Sequence, residues 1–132
     1  MGLDGQTMTR SIYGPSETMD RLAAAVAGHG MTIVARIDHA AAAAKVGMEL
    51  RPTEVLIFGN ARAGTPLMQS APTIGIDLPL KALVWQDEKG KTWLAYNDPK
   101  WLAKRHGAEQ GTERVIGDMT DVLAVIAKTS TT

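Results

Sequence analysis

Apolar side chains recur along the chain with a period of about two residues in some segments and about 3.6 in others, which are the periods of strands and helices. The order of these segments predicts the order of strands and helices. Apolar and polar residues alternate over 7–13 and 31–37, which is typical of strands, and the continuously apolar residues 55–58 favour a central strand covered on both faces. Residues 80–86 and 91–97 are two further predicted strands, and the acidic, glycine-ended loop between them predicts a hairpin. Helices are predicted to begin at five capping residues: Ser16, Asp38, Thr65, Asp98 and Thr112.

The predicted elements follow the order β-α-β-α-β-α-β-β-α-α, which favours an α+β fold. A single two-layer domain over residues 1–132 satisfies this order, with a mixed five-strand sheet and helices packed on one face. The terminal residues 1–6 and 130–132 are expected to be disordered.

The composition argues against several classes of protein. With 132 residues, 45% apolar and 21% charged, the chain is long enough for one domain that buries roughly two-thirds of its unfolded surface. Its 14 basic residues balance 14 acidic ones without a basic cluster, so neither a nucleic acid nor a membrane is expected as a partner. The absence of cysteine excludes disulfides, thiolate metal sites and cysteine nucleophiles within this chain. The N-terminal residues contain no apolar run typical of a signal peptide, so a cytoplasmic location is expected.

Residues 58–69 are the strongest candidate for a site. An apolar strand runs into this segment, a glycine-bounded turn follows, and Thr65 with Pro66 predicts the start of a helix. Backbone N–H groups beside glycines and an arginine can bind an anion or a small ligand. The residues expected to contact it are Gly59, Asn60, Arg62, Gly64, Thr65, Gln69 and Asp77. The spacing matches neither a P-loop nor a dinucleotide-binding fingerprint, and a tight turn capped by Thr65 explains the same residues without a ligand.

Asp38 and His39 are a second candidate pair, at the start of a predicted helix. The positive end of the helix dipole favours the neutral imidazole, which could act as a general base oriented by Asp38. A plain capping role for Asp38 explains the pair equally well. A metal site would need His39, Met68, Asp77 and Asp98 to converge, and no pair among them has the spacing of a metal-binding motif. No metal or cofactor is therefore expected.

Six ordered motifs resemble a family of bacterial and archaeal proteins, the domain of unknown function 302 family. They are RIDHAA at 36–41, VGMELRP at 46–52, FGN at 58–60, GTPLMQ at 64–69, IDLPL at 76–80 and YNDP at 96–99. The resemblance implies an α+β fold and a tendency to dimerise. It implies no substrate, cofactor or catalytic residue.

Three functional hypotheses follow. The first is a small domain that binds a small molecule or an anion near residues 58–69, His39 and the loop at 77–79. The second is an enzyme with His39 as general base, and the third is a structural or dimerisation module without catalysis. A homodimer is expected because Leu83, Trp85 and Leu94 fall opposite the predicted core face, which a second copy of the chain could cover.

Overall fold

The computed structural model describes residues 3–108 and 110–132. The strands are β1 Gln6–Ser11, β2 Thr32–Asp38, β3 Thr53–Gly59, β4 Leu80–Gln86 and β5 Thr92–Asn97. The helices are α1 Pro15–Gly28, α2 His39–Lys45, α3 Ala61–Ser70, α4 Pro99–His106 and α5 Glu113–Thr131. A short 3-10 helix, Pro72–Ile76, lies between α3 and β4. The α+β order predicted from the sequence is confirmed.

The sheet is antiparallel throughout, in the strand order β1-β5-β4-β3-β2, and the prediction of a mixed sheet is wrong. The sequence favoured some parallel strands because helices between strands, and a continuously apolar strand such as β3, are typical of parallel sheets. In the structure, α2 and α3 instead connect neighbouring antiparallel strands, and α1 connects the two edge strands. The predicted β4–β5 hairpin is confirmed, and Trp85 and Trp93 face each other across it with ring centroids 6.5 Å apart.

Helices α1 and α5 cover one face of this sheet. The buried strand residues Leu56, Phe58, Val84 and Leu94 point towards them. They pack against Met19, Leu22 and Val26 of α1 and against Leu123 and Ile126 of α5. Burying aliphatic side chains of this size stabilises the fold by about 1.5–3 kcal/mol each.

Leu94 belongs to this core, so the expectation that it shares the opposite face with Leu83 and Trp85 is wrong. Leu94 pairs directly with Val84 across the β4–β5 ladder, and directly paired residues point to the same face. Leu83 pairs in the same way with Ala95, one residue out of phase, and lies on the other face with Trp85.

A second apolar cluster lies beside the first and places the candidate site. Leu67 of α3, Ile74 of the 3-10 helix and Leu102 of α4 pack with Ile116 and Met119 of α5. This cluster holds the start of α3 close to α5 and to the segment that leads into β4.

Residues 32–52 form an exposed arm that comprises β2, α2 and the connector to β3. No residue of the arm is buried. Arg36 fastens it to the rest of the domain, because its guanidinium donates to Glu54 at 2.6 Å and to Asp20 at 3.0 Å. The arm nevertheless exposes six large apolar side chains: Ile33, Val34, Ile37, Val46, Met48 and Leu50.

Helix α3 begins five residues earlier than the sequence predicted. Asn60, in an extended conformation directly after β3, caps it by accepting a hydrogen bond from the Arg62 N–H at 2.9 Å. Thr65 and Pro66 therefore lie inside the helix, and the prediction of Thr65 as its cap is wrong. Asparagine is at least as good a cap as threonine, and the cap nearest the end of the strand prevailed. The predicted caps Asp38 and Asp98 are confirmed.

At the C-terminus, where the sequence favoured disorder over residues 130–132, helix α5 continues through Thr131. Ser130 and Thr131 lie in α5 and are fully buried. Their hydroxyls donate to the carbonyls of Ile126 and Ala127, both at 2.7 Å, which makes their burial possible. At the other end, Gln6 already pairs with Asn97 in the sheet, and the expected disorder of residues 1 and 2 lies outside the described residues.

Candidate functional site

A mostly apolar cavity of about 400 Å³ opens at the end of β3. We call it the apolar cavity. Its walls come from the start of α3, from the segment before β4, from α5 and from the first residues of β2. The residues that shape it are Gly59, Gly64, Met68, Leu78, Pro79 and Met119, and the polar groups along it belong to Thr32 and Asn60.

Two glycines allow the walls to approach one another. A Cβ on Gly59 would lie 3.3 Å from Cβ of Pro79, which is tighter than normal packing. A Cβ on Gly64 would lie 3.7 Å from Cδ1 of Leu78 and 3.9 Å from Cε of Met68, an ordinary contact distance that would occupy part of the space. The absence of a side chain on Gly59 thus allows β3 to lie close to Pro79, and the absence of one on Gly64 leaves space in the cavity beside α3.

A second cavity of about 380 Å³ adjoins the first. The two share Asn60, Leu80 and Met119, so they meet at the start of α3. The second cavity is the more polar one because His29, Arg62 and Asp118 also line it. We call it the polar cavity.

The loop that carries Leu78 and Pro79 is held by a partly buried hydrogen-bond network. The Asp77 carboxylate contacts Nε2 of His106 and accepts from the Arg105 guanidinium at 3.1 Å. The other imidazole nitrogen of His106, Nδ1, lies 2.8 Å from the Thr73 hydroxyl. The His106 side chain is only 9% exposed, and one residue therefore joins α4 to both ends of the 3-10 segment.

This network has the order hydroxyl, imidazole, carboxylate, which is also the order in nucleophilic relays. Thr73 lines neither the apolar nor the polar cavity. The geometry therefore assigns the network to fixing Asp77, and through it the cavity wall at Leu78 and Pro79.

Some of the residues predicted to contact a ligand lie together in the structure, and others do not. Gly59, Asn60 and Gly64 line the apolar cavity, and Arg62 lines the polar one. Thr65 and Gln69 are exposed on α3 and line neither cavity. Asp77 lies next to the apolar cavity in sequence, but its carboxylate is directed to His106 and Arg105.

Asp38 and His39 lie at the other end of the sheet. Val34 of β2 still lines the cavity, whereas Asp38 pairs with Glu54 at the far end of the β2–β3 ladder, so four residues of strand, roughly 13 Å, separate Asp38 from the nearest cavity residue of β2. The Asp38 carboxylate caps α2 by accepting from the Ala41 N–H at 2.9 Å, and His39 is exposed. The expected convergence of His39 with residues 58–69 is therefore wrong.

Several residues around the two cavities have no distinguishing pattern in the sequence. His29, His106 and Asp118 are unremarkable surface positions in the sequence, because the groups that give them a role, Arg62 in the polar cavity and Asp77 beside His106, are 29 or more residues away along the chain. Met119 carried a signal, since it falls on the apolar stripe of α5, but that stripe indicates only burial.

Within residues 3–108 and 110–132, no three His, Asp or Glu side chains lie close enough together to hold a metal ion. In the same part of the chain, no helix combines the length and the apolar character that crossing a bilayer requires.

Curated relatives include the proteins named fluoride-specific ion channel FluC 1 of Brucella suis biovar 1 and of Brucella abortus biovar 1. Each is 43% identical over 124 residues, which cover 94% of this chain but 49% and 46% of the respective relative. The chain thus spans about half the length of the curated relatives it matches. The channel name belongs to those longer proteins.

A solved structure has the same fold. The crystal structure of an uncharacterised conserved DUF302 protein from Bacillus stearothermophilus superposes with a TM-score of 0.85 and covers 97% of this chain and 99% of that one. At 18% sequence identity, this likeness establishes the fold alone.

A family model supplies the identity. The model described as domain of unknown function DUF302 matches residues 7–126, which include every strand except the first residue of β1, together with both cavities. The chain therefore belongs to the DUF302 family.

Proposed function

We propose that this protein binds a small, largely apolar organic molecule in the apolar cavity. The observation that carries the proposal is the cavity itself, about 400 Å³ in volume and formed where β3, α3 and the loop before β4 meet. This volume falls within the range of known small-molecule sites, and such sites are usually apolar with a few polar groups. Thr32 and Asn60 provide those polar groups here.

The lining favours an apolar ligand over a small inorganic anion. Apolar cavities hold water poorly, and an apolar molecule that enters one gains dispersion contacts without displacing strong hydrogen bonds. An anion such as fluoride would lose its hydration among Met68, Leu78 and Met119 without compensation. The channel activity named for the longer relatives is therefore not part of this proposal.

Chemical-shift mapping tests the proposal. We expect 1-octanol, titrated into the ¹⁵N-labelled protein, to shift the amide signals of Gly59, Gly64, Leu78 and Met119 saturably. Fluoride at the same concentration is expected to leave those signals in place. The His39→Gln variant, changed beyond the far end of β2 at an exposed position that lines neither cavity, serves as the control and should bind octanol unchanged. Unsaturable or scattered shifts would contradict the proposal.

A second part of the proposal is that two copies associate through the arm of residues 32–52. The arm is ordered by its pairing with β3 and by Arg36, yet its six large apolar side chains are exposed. An apolar surface of this kind on an edge strand is typical of an interface or an aggregation site. In a symmetric dimer, the arm of a second copy would cover the exposed apolar side chains of the first. This second copy would also lie close to Thr32 and Val34 of the apolar cavity.

Sedimentation velocity at micromolar concentration tests the dimer. Val34, which is 61% exposed on the arm, is replaced by lysine, and Val125, which is 50% exposed on α5, is replaced in the same way as a matched control. We expect a dimer for the wild type and for Val125→Lys, and a monomer for Val34→Lys. A wild-type monomer would contradict this part of the proposal. The expected cytoplasmic location is likewise a proposal, and cell fractionation tests it.

A further inference from the structure

We infer that the ligand is an amphipathic carboxylic acid, with its hydrocarbon body in the apolar cavity and its carboxylate in the polar cavity. The inference rests on the proposed function, because it assigns a head group to the molecule that the apolar cavity holds.

The two cavities are placed to hold the two ends of one molecule. They share Asn60, Leu80 and Met119, so a chain that leaves the apolar cavity at these residues enters the polar one directly. One compartment is lined mainly by aliphatic and thioether groups, and the other adds charged side chains. This gradient in polarity matches an amphipathic molecule better than a uniformly apolar one.

The hydrogen-bond donors in the polar cavity outnumber its acceptors. Arg62 offers the five N–H groups of its guanidinium and forms no ion pair with a described residue. Asn60 uses its side-chain oxygen to cap α3, which leaves its amide nitrogen as a donor at the junction. The imidazole of His29 adds a further donor.

Among the described residues that line this cavity, Asp118 is the one acidic group, and it opposes an anionic ligand. It presents a single carboxylate on α5, whereas Arg62 lines the same cavity from the first turn of α3, two residues after Asn60 at the junction, and both charged side chains are exposed. The Arg62 guanidinium can bind the carboxylate of a ligand through two parallel hydrogen bonds. Asp118 and the ammonium group of an amine ligand cannot form such a paired arrangement. The arrangement therefore favours a carboxylate over an amine as the head group.

A series of three ligands with the same hydrocarbon chain tests the inference. Octanoate, 1-octanol and octylamine are titrated at pH 8, where octanoate is ionised, and affinities are taken from the amide shifts of Gly64 and Leu78. We expect octanoate to bind about fivefold more tightly than octanol, a factor typical of one exposed charge pair. Arg62→Gln should abolish this preference. Arg10→Gln, which removes an exposed arginine of β1 that lines neither cavity, should retain it.

Each outcome separates the inference from the function on which it rests. If octanol binds and octanoate binds no more tightly, the inference fails and the proposed function stands. Tighter binding of octylamine also overturns the inference, because Asp118 would then select the head group. An unchanged preference in Arg62→Gln overturns the role given to that residue and hence the inference. If none of the three ligands shifts Gly64 or Leu78, the proposed function itself fails.

Discussion

Gly59 and Pro79 are in such close contact that a Cβ on Gly59 would lie 3.3 Å from Cβ of Pro79. The contact joins the end of β3 to the residue that precedes β4, and both residues line the apolar cavity. Gly59 does not adopt a left-handed backbone conformation, so the need for glycine at this position comes from the close contact with Pro79.

Gly59→Ala is expected to destabilise the protein by about 1 kcal/mol, the lower part of the range for one excess methyl group in a packed site. Urea unfolding at pH 7 measures the change. Gly28→Ala is the control, because a Cβ on Gly28 at the end of α1 has no described neighbour within 4 Å. Equal unfolding free energies for the two variants would refute the role of the Pro79 contact.

Asn60→Ala is expected to cost about 1 kcal/mol of stability, since it removes the cap of α3. Asn60→Asp should preserve stability because aspartate caps as well as asparagine. Thr65→Ala distinguishes the observed helix start from the one that the sequence predicted: Thr65 lies inside the helix, so its loss should leave stability unchanged or slightly raised. Thermal unfolding of the three variants measures this order.

His106→Gln is expected to destabilise the protein by about 1–3 kcal/mol, because one glutamine cannot bond both Thr73 and Asp77 and leaves a polar group unsatisfied. Octanol affinity should fall as well, since Asp77 anchors the wall at Leu78 and Pro79. His39→Gln, at an exposed position, is the matched control and should change neither quantity. Reduced stability with unchanged octanol affinity would show that the network does not shape the cavity.

Asp87 provides a pH-dependent prediction. Hydrogen bonds from Trp93 Nε1 and from the Lys91 and Lys89 N–H groups lower the pKa of Asp87 below its ordinary value of 3.8. A carboxyl whose pKa is lower in the folded state stabilises the fold above its unfolded pKa, and this stabilisation is lost as the pH falls through the folded pKa. The difference in unfolding free energy between wild type and Asp87→Asn should therefore be constant from pH 7 to 5 and shrink below pH 4.

Urea unfolding at pH 7, 5, 4 and 3 measures this difference. Glu88→Gln is the comparison, because the Glu88 side chain bonds no described residue. A difference for Asp87→Asn that stays level down to pH 3 would disprove the prediction.

The elements could be predicted from the sequence because their signals are local. The alternation around Met8, the Asp98-Pro99 cap and the loop at 87–90 each depend on neighbouring residues alone. The direction of the strands could not be predicted, since it depends on which distant segments pair. The start of α3 was ambiguous because Asn60 and Thr65 are both good caps.

The candidate site could be predicted in part, because some of its residues have a local sequence pattern and others do not. The glycines at 59 and 64 mark a close approach of the backbone, and the structure places them in the apolar cavity. The pairing of Asp77 with His106 spans 29 residues, and no local pattern indicates it. His39 was favoured because of a local helix-start signal, which contains no information about the end of the sheet at which the helix lies.

A side chain that fills the apolar cavity should weaken ligand binding, and this is the sharpest test of the proposed binding site. Gly64→Leu would place its side chain among Leu78 and Met68, whereas a Cβ on Gly117, another glycine within a helix, meets no described atom within 4 Å. Both variants should fold, since leucine favours a helix more than glycine by roughly 0.8–1 kcal/mol. Titrated with 1-octanol, Gly117→Leu is expected to bind as the wild type does and Gly64→Leu at least about tenfold more weakly, a loss of roughly 1.4 kcal/mol. Equal affinity of the two variants for octanol would contradict the claim that this cavity is the binding site.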